Sequence, residues 1–239
     1  MKLCHPGTLV AGGLVALVGL LATVIAFATP ESRLAAAGGS TRGFATAGTF
    51  IGLLVFVLVV INITSEYGQG TLRNLLVHQP RRRALLAGKL LALLAVVAAA
   101  LLAALVVSIV TAFVAAQVRG VDTASWWSLD GLAKAAGTYL NALLSAALFS
   151  IAGTALAVML RSGGLALAVG VAWLGPVEQL VKQSWAPANR IFPGLIFDTV
   201  SRGGLPDAPY WPALVSAAAY AAVALTVAFV GFQRRDVTA

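Results

Sequence analysis

Few side chains in this 239-residue chain could make or break a bond. The single cysteine, Cys4, excludes an intrachain disulfide and argues against a thiolate metal cluster. The two histidines, His5 and His78, are too few for a His-rich site and lack HExxH spacing. No GxxxxGK[ST] phosphate loop occurs, because Gly88-Lys89 is followed by Leu90 and has no glycine five residues upstream. The acids are scattered rather than grouped. What remains is a cluster suited to recognition: Glu66-Tyr67-Gly68-Gln69-Gly70-Thr71-Leu72-Arg73, then Pro80-Arg81-Arg82-Arg83 and Lys89.

Further polar residues fall inside apolar stretches, where such groups face protein or water rather than lipid. Glu178 follows Pro176, and Lys182 lies four residues on in the favourable Glu-to-Lys order. Glu178 reads either as an outer gate or substrate contact, or as half of an ion pair near a helix end, and the ion pair is the stronger reading. Asn62, Thr64, Tyr139, Asn141 and Ser145 read first as hydrogen-bonding links between helices. Gly48-x-x-x-Gly52 is a modest signature of close helix packing. Phe50, Phe56 and Trp173 could line a cavity, although aromatic residues in spans more often simply pack. With Asn62, Glu178 and Phe197 they are the candidate pathway or gate residues.

The surrounding composition sets the solvent. Sixty per cent of residues are hydrophobic and 10% are charged, more apolar surface than a soluble domain of this length can bury, so the solvent is lipid. A bilayer core about 30 Å thick needs about 20 mostly apolar residues per helix. Six stretches meet or nearly meet that need: 7–29, 44–64, 85–116, 132–160, 164–181 and 210–232. The third and fourth exceed one bilayer thickness and should tilt or project into water. Lys2 and Ala26-Phe27-Ala28 mimic a cleavable signal around the first stretch. Its apolar run is too long for that, and it reads as a retained anchor.

Charge orients the chain. On one side lie nine bases (Lys2, Arg73, Arg81, Arg82, Arg83, Lys89, Arg161, Arg234, Arg235) and two acids, a net of +7. On the other lie seven bases and six acids, a net of +1. The positive-inside rule therefore places both termini and the segment 65–84 in the cytoplasm. The overall +8 reports topology, and no soluble basic face exists for nucleic acid. On the exterior, Trp126-Trp127 reads as an interfacial anchor. Residues 191–197, which contain Pro193-Gly194, are too apolar for a solvated loop and too short to span, which fits a re-entrant segment.

Within the cytoplasmic segment, Gly68 and Gly70 let the chain leave the second span. Thr71 can cap a short helix, Leu72–His78, that presents Leu72, Leu75 and Leu76 on one face and Arg73 on another. Such an amphipathic helix can enter a partner's groove. For Arg81–Arg83 alone, contact with lipid phosphates is the simpler reading.

The pattern Glu66-Tyr67-x-x-Gly70-Thr71-x-Arg73, with Pro80 and then Lys89, resembles the permease subunits of type-2 ABC exporters. The six-span layout, Pro193-Gly194 and the terminal Arg234-Arg235-Asp236-Val237 are similar to that family too. Many of its members begin with an amphipathic helix on the inner surface, whereas only six residues precede the first span here. The resemblance implies an all-helical permease with a re-entrant exterior segment. It implies an ATPase-docking site at Glu66, Tyr67, Gly70, Thr71, Leu72, Arg73, Leu75 and Leu76, and a second permease chain as partner. ATP and Mg would bind the separate ATP-binding subunit, so no cofactor and no enzymatic role is expected in this chain. Ser162-Gly163-Gly164 superficially looks like an ABC signature motif, but it falls in a short turn between spans, where the structural reading wins.

The expected role is export of a drug, peptide or lipid across a bacterial plasma membrane, the source being read weakly from the abundance of Arg, Ala and Gly. One alternative is an integral-membrane hydrolase acting on lipid or peptide, which needs acids, His or Arg grouped at one face. Another is a passive accessory subunit.

Overall fold

The structure is a computed structural model that describes residues 6–68, 82–160 and 162–233. Long apolar runs in lipid must satisfy every backbone N–H and C=O internally, and the helix does so. Seven main helices follow: α1 (Pro6–Ala28), α2 (Arg42–Gly68), α3 (Arg82–Arg119), α4 (Leu129–Leu160), α5 (Gly163–Ser184), α6 (Pro193–Ser201) and α7 (Tyr210–Gln233). Among the described residues no β-strand occurs beyond the isolated bridge between Leu205 and Ala208.

Among the described residues four helices are long and apolar enough to cross a membrane: Ala87–Arg119, Leu129–Leu160, Gly163–Ser184 and Tyr210–Gly231. Gly39–Gly48 and Phe50–Ser65, joined at a 46° bend, make a fifth if taken as one span. At 38 and 32 residues, α3 and α4 run roughly 57 and 48 Å, well beyond one hydrocarbon thickness.

The core lies where α2 packs along α4, with α1 and α3 on one side and α5, α6 and α7 on the other. Small residues permit this closeness. A Cβ at Gly52 would lie 2.3 Å from the Phe149 ring, so the second glycine of the Gly48-x-x-x-Gly52 pair is the socket for an aromatic of α4. The first turn of α2 leaves backbone donors unmet. Buried Ser108 of α3 accepts one of them, from Phe44 N at 3.1 Å.

The loops at this end are stitched together. Trp126 Nε1 donates to the Leu34 carbonyl at 2.9 Å, and an Arg119 guanidinium N–H donates to that of Thr29 at 2.6 Å. Trp126 is buried and Trp127 exposed, so only the second tryptophan keeps the surface position expected of an interfacial anchor. At the opposite end Lys89 Nζ donates to the Asn62 carbonyl at 3.2 Å, tying α3 to α2.

Candidate functional site

Glu66 and Tyr67 sit on the final turn of α2, which continues to Gly68, several residues past the expected end of the span. Gly70, Thr71, Leu72, Arg73, Leu75 and Leu76, and the whole expected helix Leu72–His78, lie outside the described residues. Lys89 enters the described part of α3 and binds α2 directly.

The membrane-embedded candidates converge elsewhere. α5 and α7 both pack on α4 but not closely on each other, leaving a cleft between them. It has a volume of about 280 Å³ and almost wholly apolar walls, with Phe56, Leu148, Trp173, Phe197, Tyr220 and Val227 among its lining residues. Three pathway candidates, Phe56, Trp173 and Phe197, thus share one cavity. Phe56 and Phe197 are buried, and Trp173 is about half-exposed. Phe197 meets Phe149 edge to face at 5.3 Å between centroids. Phe50 instead points outward from the bundle, at 56% exposure, and the Asn62 backbone serves the Lys89 contact. Neither belongs to the cavity lining.

Glu178, four residues beyond the lining residue Leu174, is held in a way that sequence spacing does not reveal. α5 passes through a π-helical turn at Trp173–Val177 that contains Pro176, and the Glu178 N–H reaches back to the Trp173 carbonyl. Such turns re-aim the side chains that follow them. Glu178 is fully buried, and its Oε2 accepts a hydrogen bond from Leu195 N at 2.8 Å. The expected ion pair with Lys182 gives way to this contact. The reason is at the start of α6: Pro193 occupies the first turn and brings no N–H, so the next free donors face the carboxylate. Gly194 allows the approach, since a Cβ there would lie 2.6 Å from Oε2. Glu178 therefore caps α6 from another helix by accepting one of its unmet first-turn donors.

α6 itself is buried throughout Gly194–Ser201. Leu195 and Phe197 are 1% and 2% exposed, so packing within the protein already shelters this apolar stretch. Ser145 Oγ donates to the Phe197 carbonyl at 2.9 Å, fastening α6 to α4. Tyr210 Oη donates to Asn141 Oδ1 at 2.9 Å, and Tyr139 Oη donates to the Ala98 carbonyl at 3.0 Å. Three of the five expected interhelical polar residues thus do link helices, whereas Thr64 Oγ1 turns back to the Val60 carbonyl of its own helix at 2.7 Å. Outside the spans, Asn189 donates to Asp207 Oδ2, and this bond holds the Asp207 carboxyl below its ordinary range.

The chain belongs to a family described as a protein of unknown function (DUF2705), which it matches over residues 14–238. No curated protein matches it.

Proposed function

We propose that this protein is the membrane-spanning permease subunit of an ATP-driven exporter. Six helices cross the membrane: α1, a 23-residue apolar helix, joins the five already described. Both termini and the α2–α3 connection face the cytoplasm, following the +7 against +1 charge asymmetry. α6 is a re-entrant helix that enters from the exterior and returns through residues 202–209. Its full burial and its cap by Glu178 support this, because backbone at membrane depth must be sheltered by protein.

The observation that carries the reading is the order of residues across the α2–α3 connection. Glu66-Tyr67 on the last turn of α2 is followed by Gly70-Thr71-x-Arg73, Pro80 and a basic entry to α3. That order suits a short transverse helix held below the membrane by two rigid spans, which can receive motion from a soluble partner. Nucleotide binding and hydrolysis belong to a separate ATP-binding subunit, and a second permease chain completes the assembly.

The test is reconstitution in liposomes with a candidate ATP-binding subunit from the same cell. Glu66→Ala combined with Arg73→Ala should lower ATP-dependent transport at least tenfold while membrane insertion is retained. Unchanged transport and unchanged association with the ATP-binding protein in the double variant would overturn the reading.

A further inference from the structure

Only two residues separate the end of α4 at Leu160 from the start of α5 at Gly163, so both helices leave one level of the bundle. From there α4 runs for 32 residues and α5 for 22. The difference, 32 − 22 or ten residues, leaves the tip of α4 roughly 15 Å beyond the end of α5. A hydrogen bond gives the same offset independently. Tyr210, the first residue of α7, donates to Asn141, which lies 12 residues along α4 from Leu129. That is roughly 18 Å from the α4 tip. The ends of α5 and α7 therefore share a level, and the first three turns of α4 rise past both.

Helix length decides which level meets the lipid surface. α5 and α7 run roughly 33 and 36 Å, close to the hydrocarbon thickness of about 30 Å. Fitting the roughly 48 Å of α4 into that core by tilt alone takes roughly 50°, beyond the usual limit of about 40°. The projecting part also has a surface suited to water. Asp130 and Lys134 form an exposed ion pair at 2.7 Å, which is costly against lipid tails. Beneath it lies a small core of its own that includes Trp126, Leu34, Ala112 and Ala116.

At the lower level the side chains change character. Trp185 directly follows α5 and Trp211 is the second residue of α7. Both are exposed in part or in full, and an indole, apolar with one N–H donor, prefers the headgroup boundary. Asn189 and Arg190 bind Asp207 just before α7, which adds a polar rim at the same end of that helix.

We propose that the outer surface of the bilayer meets this protein at Trp185 and Trp211, whose partner is the lipid headgroup layer, and that a tip formed by α3, α4 and residues 29–41 stands roughly 15 Å outside it. Trp127 and Trp211 are 66% and 72% exposed, yet the first faces water and the second lipid. The same boundary sets the depth of α6. Its Phe197 carbonyl is held by Ser145, four residues below Asn141 on α4, and its Leu195 N–H by Glu178, seven residues below Trp185. Those counts place α6 roughly 6–10 Å inside the outer leaflet. The depth rests on the membrane topology proposed above and makes no use of ATP coupling.

The experiment uses the full chain in phosphatidylcholine nanodiscs, in three variants that keep Trp127, Trp185 or Trp211 alone, the other tryptophans being replaced by Phe. Lipids brominated on the upper acyl carbons should quench Trp185 and Trp211 at least threefold more than Trp127, and aqueous iodide should rank them the other way. Three results would each overturn the boundary: brominated lipid that quenches Trp127 as strongly as Trp211, iodide that reaches all three equally, or a Trp127 that neither quencher reaches. A second measurement keeps every tryptophan in place. In a Cys4→Ser background, Leu132→Cys lies nine residues above Asn141 and Val215→Cys five residues into α7, at positions 51% and 69% exposed. A membrane-impermeant maleimide should label the first at least tenfold faster, although the second is the more exposed within the protein. Equal rates would place both in one medium and remove the tip. No ATP-binding subunit is present in either assay. Failure here leaves the Glu66/Arg73 test of the exporter untouched, and loss of the exporter reading leaves the boundary in place.

Discussion

The α2–α4 seam and the α5–α7 cleft are built from the same apolar residues, yet one is solid and the other hollow. In the seam a glycine on one helix faces an aromatic on the other, so Phe149 sits at Gly52 and the two backbones close around it. Phe56 extends the same pattern, with a Cβ at Gly170 of α5 falling 2.1 Å from its ring. Across the cleft, α5 and α7 present aliphatic side chains such as Val169, Val223 and Ala224, and the two helices do not pack closely along their length. Lipid tails are as apolar as leucine, so hydrophobicity cannot close such a gap; shape complementarity and polar links decide which helix pairs meet. Where both are missing, the bundle is held together from its ends. Glu178 caps α6 at one point, and Tyr220 Oη donates to the Ile191 carbonyl at 2.6 Å at another.

The seam breaks most readily at its socket. Gly52→Val adds side-chain atoms where even a Cβ falls 2.3 Å from the Phe149 ring. The expected loss is about 3 kcal/mol, the upper end of the range for overpacking, read as a lower unfolding midpoint in detergent. By contrast Val223→Ile in the cleft should leave the midpoint almost unchanged, and a loss comparable to that at Gly52 would erase the distinction between the two regions.

The start of α6 depends on one carboxyl group. Glu178→Ala removes the acceptor for Leu195 N and leaves that donor buried, at a cost of about 1–3 kcal/mol. Amide exchange at Leu195 and Ile196 should quicken while exchange in α2 and α4 stays slow. Uniform quickening would mean that the cleft end and the seam unfold as one unit.

The smallest effect lies outside the spans, where the Asn189–Asp207 bond joins the loop after α5 to the turn before α7. The folded carboxyl titrates below its ordinary value because it accepts the Asn189 amide. Its contribution is therefore present above the ordinary carboxylate range and is lost as pH falls through the folded value. Asp207 is exposed, so the difference in unfolding midpoint between the wild type and Asp207→Asn should be small at neutral pH and vanish in acid. A difference that grows in acid would contradict this sign.

The helices were legible because they follow one-dimensional rules. The stretches 132–160 and 210–232 correspond to Leu129–Leu160 and Tyr210–Gln233, since hydropathy and length alone govern a helix in lipid. The packing role of Gly52 was legible for a similar reason, four-residue spacing being what places two small residues on one helix face. Trp126 and Glu178 were not. Both were read by local rules, as an interfacial ring and as a partner for Lys182, and both are claimed by backbone groups distant in sequence. Trp126 meets a carbonyl at residue 34, and Glu178 meets an N–H 17 residues away.

Composition and periodicity by themselves determined that this chain is a bundle of apolar helices with one strongly polar connection, because transfer to lipid depends on what residues are and how long they run. Only the tertiary structure decided that Phe56, Trp173 and Phe197 share a cleft, that α5 and α7 stand apart, and that a buried glutamate holds α6. Those outcomes depend on side-chain shape and on which backbone donors are left unpaired, and neither is defined until the helices have met.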